Sequence, residues 1–497
     1  MKLKLKGDVN VYYIQTLCMI FFPGAKFGAA EEEDADVPSL ELELFETEES
    51  VKIVVNVTLG EKSASAEKEY PLDGRYDRDK TVKLACGAAV ISACGELLGY
   101  RPSWGMLTGV RPSKVATELL QSGLSKTRVK KTLSNEYFVS PKKAALATDV
   151  ALNEQKLIAS PDPRDCSVYV AIPFCPSRCS YCSFVSYTSS KLLSLIPEYL
   201  VHLVRDLEVT FSKINDMGLR VRTVYIGGGT PTILTADQLR VLLQKIAELT
   251  DVEALEEYTL ESGRPDTITA EKLAVAKEYG VSRICVNPQS LCDEVLQNIG
   301  RSHSSEDFLR AFDIARESGI QYINTDLIVG LPGDSFKTFS ATFDKILALR
   351  PENITVHTFC VKKAAEILKQ GSHVYSLRGG DAGKCVDYTQ LKAQEVGYLP
   401  YYMYRQKNTV GNFENVGFAL EGAEGRYNVY MMEEVHSIFA VGAGAVSKMV
   451  NYRPQNGGKP VINRLFYPKY PYEYLKDESV EEKIAEMERF YLSEGLL

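Results

Sequence analysis

Leu3 and Leu5 interleave with Lys4 and Lys6, and apolar and polar positions alternate again over 40–45, 51–57 and 63–70. A period of two is the mark of half-buried strands, so four strands are expected near the start of the chain. Helical periodicity follows over 80–98, 114–122, 126–137 and 141–157. From 165 onward the pattern changes to short apolar strands in strict alternation with helices. The strands are expected over 167–172, 223–226, 258–261, 283–286, 322–329 and 354–359. The helices between them fall over 197–214, 236–249, 270–279, 305–318 and 336–349. Such a run of βα units implies a parallel sheet with helical crossovers. The fold class is therefore α/β, a partial TIM-like (βα)6 barrel, with function at the C-terminal strand ends.

Ala159-Ser160-Pro161-Asp162-Pro163 reads as a linker. The chain is accordingly expected to comprise an N-terminal α+β domain over 1–160, the barrel over 165–400 and a mixed C-terminal region over 401–497. In that last region 401–405 resembles a strand, and 438–446 a strand meeting a glycine-rich turn.

Composition narrows the classes. The 497 residues carry 57 Lys+Arg against 65 Asp+Glu, a net charge of −8 with no basic block. That balance argues against nucleic acid or an anionic membrane as a partner. The N-terminus mimics a secretory signal, with three lysines in the first six residues and a mostly apolar stretch over 11–22. Asp8, Asn10 and Gln15 interrupt it, so a strand and a buried helix ending at Pro23-Gly24 are expected instead. No segment reaches the ~20 uninterrupted apolar residues of a membrane span, and a cytoplasmic location is expected. Eleven cysteines are too odd a number, in too long a chain, for a disulfide scaffold.

Three of them are set apart. Cys175-Pro176-Ser177-Arg178-Cys179-Ser180-Tyr181-Cys182 follows the first barrel strand directly. With 11 cysteines in 497 positions, this spacing is expected by chance only about 0.005 times. Pro176 and Ser177 break the periodicity that a packed core would need. Three neighbouring thiolates suit a soft metal, zinc or iron–sulfur. Zinc wants a fourth ligand, which no nearby residue supplies, whereas a four-iron cube with three protein ligands keeps one iron open.

Polar residues recur at the later strand ends. Gly227-Gly228-Gly229-Thr230-Pro231-Thr232 permits close backbone approach to a ligand. Glu261, Asn287, Gln289, Arg301 and Asp326 lie in or beside apolar strands, where an unpaired polar group is costly. Their recurrence points to a shared polar ligand.

The cysteine spacing after the first strand of a βα barrel resembles the radical S-adenosylmethionine (SAM) superfamily. Tyr169-x-x-Ile172-Pro173-Phe174-Cys175, the glycine run and Asp326-Leu327-Ile328-x-Gly330-Leu331-Pro332 resemble its oxygen-independent coproporphyrinogen III oxidase family. The likeness covers about residues 165–450. The resemblance implies a [4Fe-4S] cluster on Cys175, Cys179 and Cys182, and S-adenosyl-L-methionine at its open iron. Carried over by position, Tyr169, Tyr181, Gly228, Gly229, Thr230, Glu261, Gln289, Arg301 and Asp326 match the family's SAM contacts. Cys360 and Val446 match two more. It further implies a reduced flavodoxin or ferredoxin-like electron donor.

The leader, Tyr404-Arg405-Gln406-Lys407-Asn408 and Glu414-Asn415-Val416-Gly417 resemble the HemZ branch, named for coproporphyrinogen dehydrogenation. The expected activity is oxidative decarboxylation of two propionates of coproporphyrinogen III, giving protoporphyrinogen IX. A tetrapyrrole with four carboxylates asks for basic groups, and Arg264, Arg405 and Lys407 are the candidates. Two departures stand out. Phe184 occupies the place of a fourth cysteine in the oxidases, and Cys182-Ser183-Phe184 is closer to the HemW-type haem chaperones. Yet Tyr427-Asn428-Val429-Tyr430-Met431 lacks the His and Trp of the chaperones' haem motif, leaving His436 as a candidate iron ligand nearby. A haem-binding chaperone is thus the second reading, and a radical SAM enzyme acting on haem the third.

Overall fold

A computed structural model describes residues 1–27, 37–360, 380–406, 409–454 and 458–497. The candidate Lys407 and its neighbour Asn408 lie outside the described residues. The chain forms two compact units. The first holds the described residues of Met1–Leu152, Tyr375–Gly383 and Met403–Glu414, the second those of Asn153–Val374, Lys384–Tyr402 and Asn415–Leu497.

In the first unit, β1 (Lys2–Lys6), β2 (Ser39–Glu46), β3 (Ser50–Leu59) and β4 (Lys62–Pro71) form a sheet in that order. The alternation read from the sequence sets its faces: Val51, Ile53, Val55 and Val57 of β3 are fully buried. They pack against the helix Arg78–Leu98, which Asp77 caps through Lys80 N and which Gly99 closes at φ 59°. By length and composition this helix is apolar enough to cross a membrane, with a mean hydropathy of 1.5, but 67% of that window is buried inside the fold. The segment suspected as a signal forms the helix Val11–Phe21, with Ile14, Leu17, Cys18 and Phe21 fully buried.

In the second unit, β5 (Asp165–Ile172), β6 (Arg220–Gly228), β7 (Glu257–Leu260), β8 (Arg283–Cys285), β9 (Tyr322–Val329) and β10 (Asn353–Thr358) lie side by side and parallel. β11 (Leu399–Arg405) and β12 (Glu414–Ala419), of which 399–402 and 415–419 belong to this unit, with β13 (Ser437–Val441), β14 (Val446–Asn451) and β15 (Val461–Phe466), extend this to eleven strands, ordered 11-12-10-9-8-7-6-5-13-14-15. The six parallel strands and their crossover helices are the expected α/β partial barrel. Thr235, Ser304 and Ser335 each open a crossover helix with a reciprocal capping box, which sets where the chain leaves the strand-end loops.

The stretch 438–446 is the expected strand meeting a glycine-rich turn: β13 ends at Val441, and Gly442 (φ 102°) and Gly444 (φ 75°) turn the chain before β14 begins.

Candidate functional site

The C-terminal ends of β5 to β9 carry the polar groups. After β5 the chain forms a strap: Cys175 N–H donates to Tyr187 O (3.1 Å), and Tyr187 N–H to Pro173 O (2.8 Å). Cys182 N–H donates to Cys179 O (3.1 Å), and Ser180 N–H to Ile299 O (3.0 Å). Cys175 and Cys179 are buried and Cys182 half-buried. Burial pushes the thiols of Cys175 and Cys182 up, and Cys179 raises both further. The three are therefore within electrostatic reach of one another. Three thiols gathered on one strap are the donor set of a soft-metal centre.

The glycine run seats this strap. Gly229 N–H donates to Ile172 O and Thr230 N–H to Phe174 O, both at 2.8 Å, while Thr230 Oγ1 lies 3.3 Å from Cys175 Sγ. Gly228, at φ 107°, lies near enough to the Glu261 carboxylate to offset part of the rise in its pKa. The Gly229 and Thr230 N–H groups, expected to face a ligand, are thus spent on the strap. The glycines serve close approach instead: a Cβ on Gly229 would sit 2.5 Å from Phe174 O and 3.0 Å from Cys175 Sγ. Gly229→Ala is expected to displace the strap and cost about 1–3 kcal/mol, with a matching fall in iron bound per chain after reconstitution. Wild-type iron content would refute this role.

Glu261 follows β7 and is half-buried. Burial first, then the nearby Asp326 charge, push its carboxyl up to about 8, against the pull of the Gly228 N–H. Among the described residues no cation pairs with it. Asp326, in β9, accepts from Asn287 Nδ2 (3.0 Å) and lies 3.7 Å from His357 Nε2. Gln289 sits at φ 66°, pinned by its N–H to Asp326 O (3.1 Å), and its buried Oε1 has no partner. A half-buried acid without a cation and a buried amide oxygen without a partner, both next to Asp326, fit a ligand with an ammonium or sulfonium group.

Arg301 donates from Nη2 to Tyr181 Oη (2.9 Å) and from Nη1 to Gly263 O (3.1 Å). Tyr169, Tyr225 and Tyr427 form a three-ring cluster, with Tyr169 6.0 Å from Tyr225 and 6.3 Å from Tyr427, and the Glu261 charge helps burial push the Tyr169 phenol up. Cys360 follows β10, and Val446 opens β14 opposite Phe466.

Three readings change. Arg264 does not wait for substrate: buried at 3% exposure, it binds both Asp266 oxygens, Ser177 O and Oγ and Ser302 Oγ, with Nη1 3.7 Å from Cys179 Sγ. It clamps the cysteine strap. Arg405 is buried in the first unit, on Leu107 O. His436 is also buried, with Nδ1 3.0 Å from Ser167 Oγ and its ring 4.1 Å from that of Tyr430. Desolvation holds it at about 4, so it is a neutral core residue. The sequence reading missed the Arg264 clamp and the Tyr225–Tyr427 stack (4.7 Å). Arg264-Pro265-Asp266, a short acid–base pair beside a strand end, was the available signal for the first.

Residues 169–346 match the radical SAM superfamily model. The oxygen-independent coproporphyrinogen-III oxidase-like protein HemZ of Bacillus subtilis is 34% identical over 99% of this chain and 99% of its own length. The heme chaperone HemW of the same organism is 32% identical over 64% of this chain and 81% of its own. The structure of the coproporphyrinogen III oxidase HemN from Escherichia coli, a radical SAM enzyme, aligns with a TM-score of 0.49 and 20% identity, covering 67% of this chain and 72% of that one. The chain belongs to the radical SAM superfamily and, within it, to the coproporphyrinogen-III oxidase-like family of HemZ. The cofactors of that superfamily are a [4Fe-4S] cluster and SAM.

Proposed function

We propose that the protein is a cytoplasmic enzyme of tetrapyrrole biosynthesis that oxidatively decarboxylates coproporphyrinogen III to protoporphyrinogen IX. The observation that carries this reading is the likeness to HemZ along the full length of both chains. Cys175, Cys179 and Cys182 would hold the cluster. Tyr169, Tyr181, Gly228, Gly229, Thr230, Glu261, Gln289, Arg301, Asp326, Cys360 and Val446 would form the SAM site. Together the cluster and SAM supply one-electron chemistry, the abstraction of a hydrogen atom from a substrate carbon. Each propionate then loses one hydrogen atom, carbon dioxide and one electron, the electron passing to an external one-electron acceptor, to become a vinyl group. A flavodoxin- or ferredoxin-type protein would deliver the reducing electron for the cluster.

The chain's own residues bind, orient and exclude water. The Tyr169–Tyr225–Tyr427 stack walls the interior with apolar ring faces. Glu261 would receive the ligand's ammonium group, and Arg301 would fix Tyr181 through its guanidinium.

Glu261 gives this a pH signature. A cation binds the ionised carboxylate, so SAM affinity should rise with pH and level off above about 8. In the ligand-free protein the same raised value makes the native state hold a proton that the unfolded chain releases. Its contribution to stability therefore falls as pH rises from the ordinary carboxylate range through about 8. Glu261→Gln should weaken SAM binding by about tenfold or more and flatten the pH profile, read by equilibrium dialysis. An unchanged profile would remove Glu261 from the site.

Anaerobic reconstitution with iron and sulfide, then dithionite, SAM and coproporphyrinogen III, should yield 5′-deoxyadenosine and a divinyl product. Absence of both overturns the enzymatic reading. Stoichiometric haem binding without turnover would replace it by a chaperone of the HemW kind.

A further inference from the structure

Within the first unit a cavity of about 90 Å³ lies between the helix Val11–Phe21, residues 108–110 and the end of β11. About three waters would fill such a volume. Met19, Ile20 and Val110, the last 54% exposed, give the cavity apolar lining, and Arg405, Asn412 and Thr108 give it polar lining.

Arg405 is the unusual member. It is 6% exposed, and its place is rigidly set: its backbone N–H donates to Val110 O (2.6 Å) and its Nη1 to Leu107 O. Its Nε is buried without a partner. Among the described residues no carboxylate comes within ion-pair distance of this guanidinium. Glu414 acts on it only from further away, being held by Trp104 Nε1 (2.7 Å) and Lys143 Nζ (2.6 Å). Desolvation therefore depresses Arg405 to about 10. A buried guanidinium with one donor unpaired, on a residue that lines a cavity, is chemically incomplete. Arginine's planar fork matches a carboxylate.

We infer that this cavity binds a small monocarboxylate of about propionate size, with its carboxylate on Arg405 and its alkyl end against Met19, Ile20 and Val110. One guanidinium calls for one negative charge. Phosphate, at about −1.5 to −2, brings more charge than the site compensates and has no use for the apolar lining. The carboxylate is either a free short-chain acid or one arm of a larger molecule. The inference is independent of the radical chemistry and needs no cluster to test.

Trp104, the single tryptophan of the chain, is a built-in reporter, with the Arg405 guanidinium carbon 5.7 Å from its ring. Sodium propionate titrated into the full-length protein at fixed ionic strength should change Trp104 fluorescence saturably, with Kd in the region of about 1 mM. Arg405→Gln, whose amide can still donate to Leu107 O, should weaken binding about tenfold or more. Gly109→Leu is the second variant. Gly109 lines the cavity at its exposed rim, its φ is not positive, and an added Cβ meets nothing within 4 Å, so the variant sets a leucine at that rim while Arg405 stays in place. It should abolish the response and keeps the test open should Arg405→Gln fail to fold. No saturable response of the wild type up to about 50 mM overturns the proposal. So does unchanged affinity in either folded variant, or tighter binding of phosphate than of propionate. Displacement of propionate by coproporphyrin III would identify the carboxylate as an arm of a larger molecule, and its persistence would identify a free acid; both support a carboxylate site.

Discussion

Cys179→Ala should yield a folded, colourless protein after anaerobic reconstitution, without turnover of SAM. The variant removes one of three thiolates that would share the cluster and leaves two corners of the cube without protein ligands. Loss of the side chain costs the fold little. The Cys179 thiol is packed at the strap, and the neighbouring Arg264 keeps Asp266, Ser177 and Ser302 as acceptors when the sulfur goes. Far-UV circular dichroism should therefore be that of the wild type while the visible charge-transfer absorbance disappears. Cys166→Ala is the matched control: this thiol is fully buried in β5, outside the strap, and its removal should leave the colour intact. Full absorbance in Cys179→Ala would sink the cluster assignment, and with it the proposed chemistry.

Glu414→Ala carries the largest expected effect on stability. Its carboxylate is fully buried and receives Trp104 Nε1 at 2.7 Å and Lys143 Nζ at 2.6 Å, with the Lys143 side chain only 2% exposed. Truncation takes the charge partner from a buried ammonium and the acceptor from a buried indole. Breaking such a pair from one side costs about 3–5 kcal/mol. Glu414→Gln keeps a hydrogen-bond acceptor and loses the charge, so it should fall between the wild type and alanine. Urea unfolding followed by Trp104 emission measures both. A loss below about 1 kcal/mol for Glu414→Ala would show that the pair adds nothing beyond its own desolvation.

Local pattern made most of the scaffold legible. Period-two alternation marked β2, β3 and β4 within a residue or two, because a strand with one wet face must alternate. The apolar runs of β5 and β9 and the capped helices between strands announced parallel βα units, because a parallel strand needs a crossover. The turn at Gly442–Gly444 was legible too, because glycines that can take positive φ follow an apolar run there. The candidate residues were legible where chemistry and spacing coincide in one short stretch, as in the cysteine run.

Partnership between distant residues was not legible. Arg264 stands 85 positions from Cys179 and yet points at its sulfur. As an isolated basic residue at a strand end it looked free to take a substrate carboxylate, and only Asp266 and Ser302 show that its donors are committed. His436 looked like a ligand until burial against Ser167 and Tyr430 made it a neutral core group. Arg405 belongs to another body from the strand ends altogether.

The sequence by itself determined the order of strands and helices, the capped entries to the helices and the spacing of Cys175, Cys179 and Cys182. These depend on neighbours one to seven positions apart, and periodicity and covalent spacing carry them. Tertiary structure alone decided which buried charges have partners. Among the described residues Glu261 has Asp326 near it and no cation, Arg264 is spent on the strap, and Arg405 keeps a buried Nε without an acceptor. Desolvation and pairing energies depend on distance in space, which residues far apart in the chain acquire only on folding.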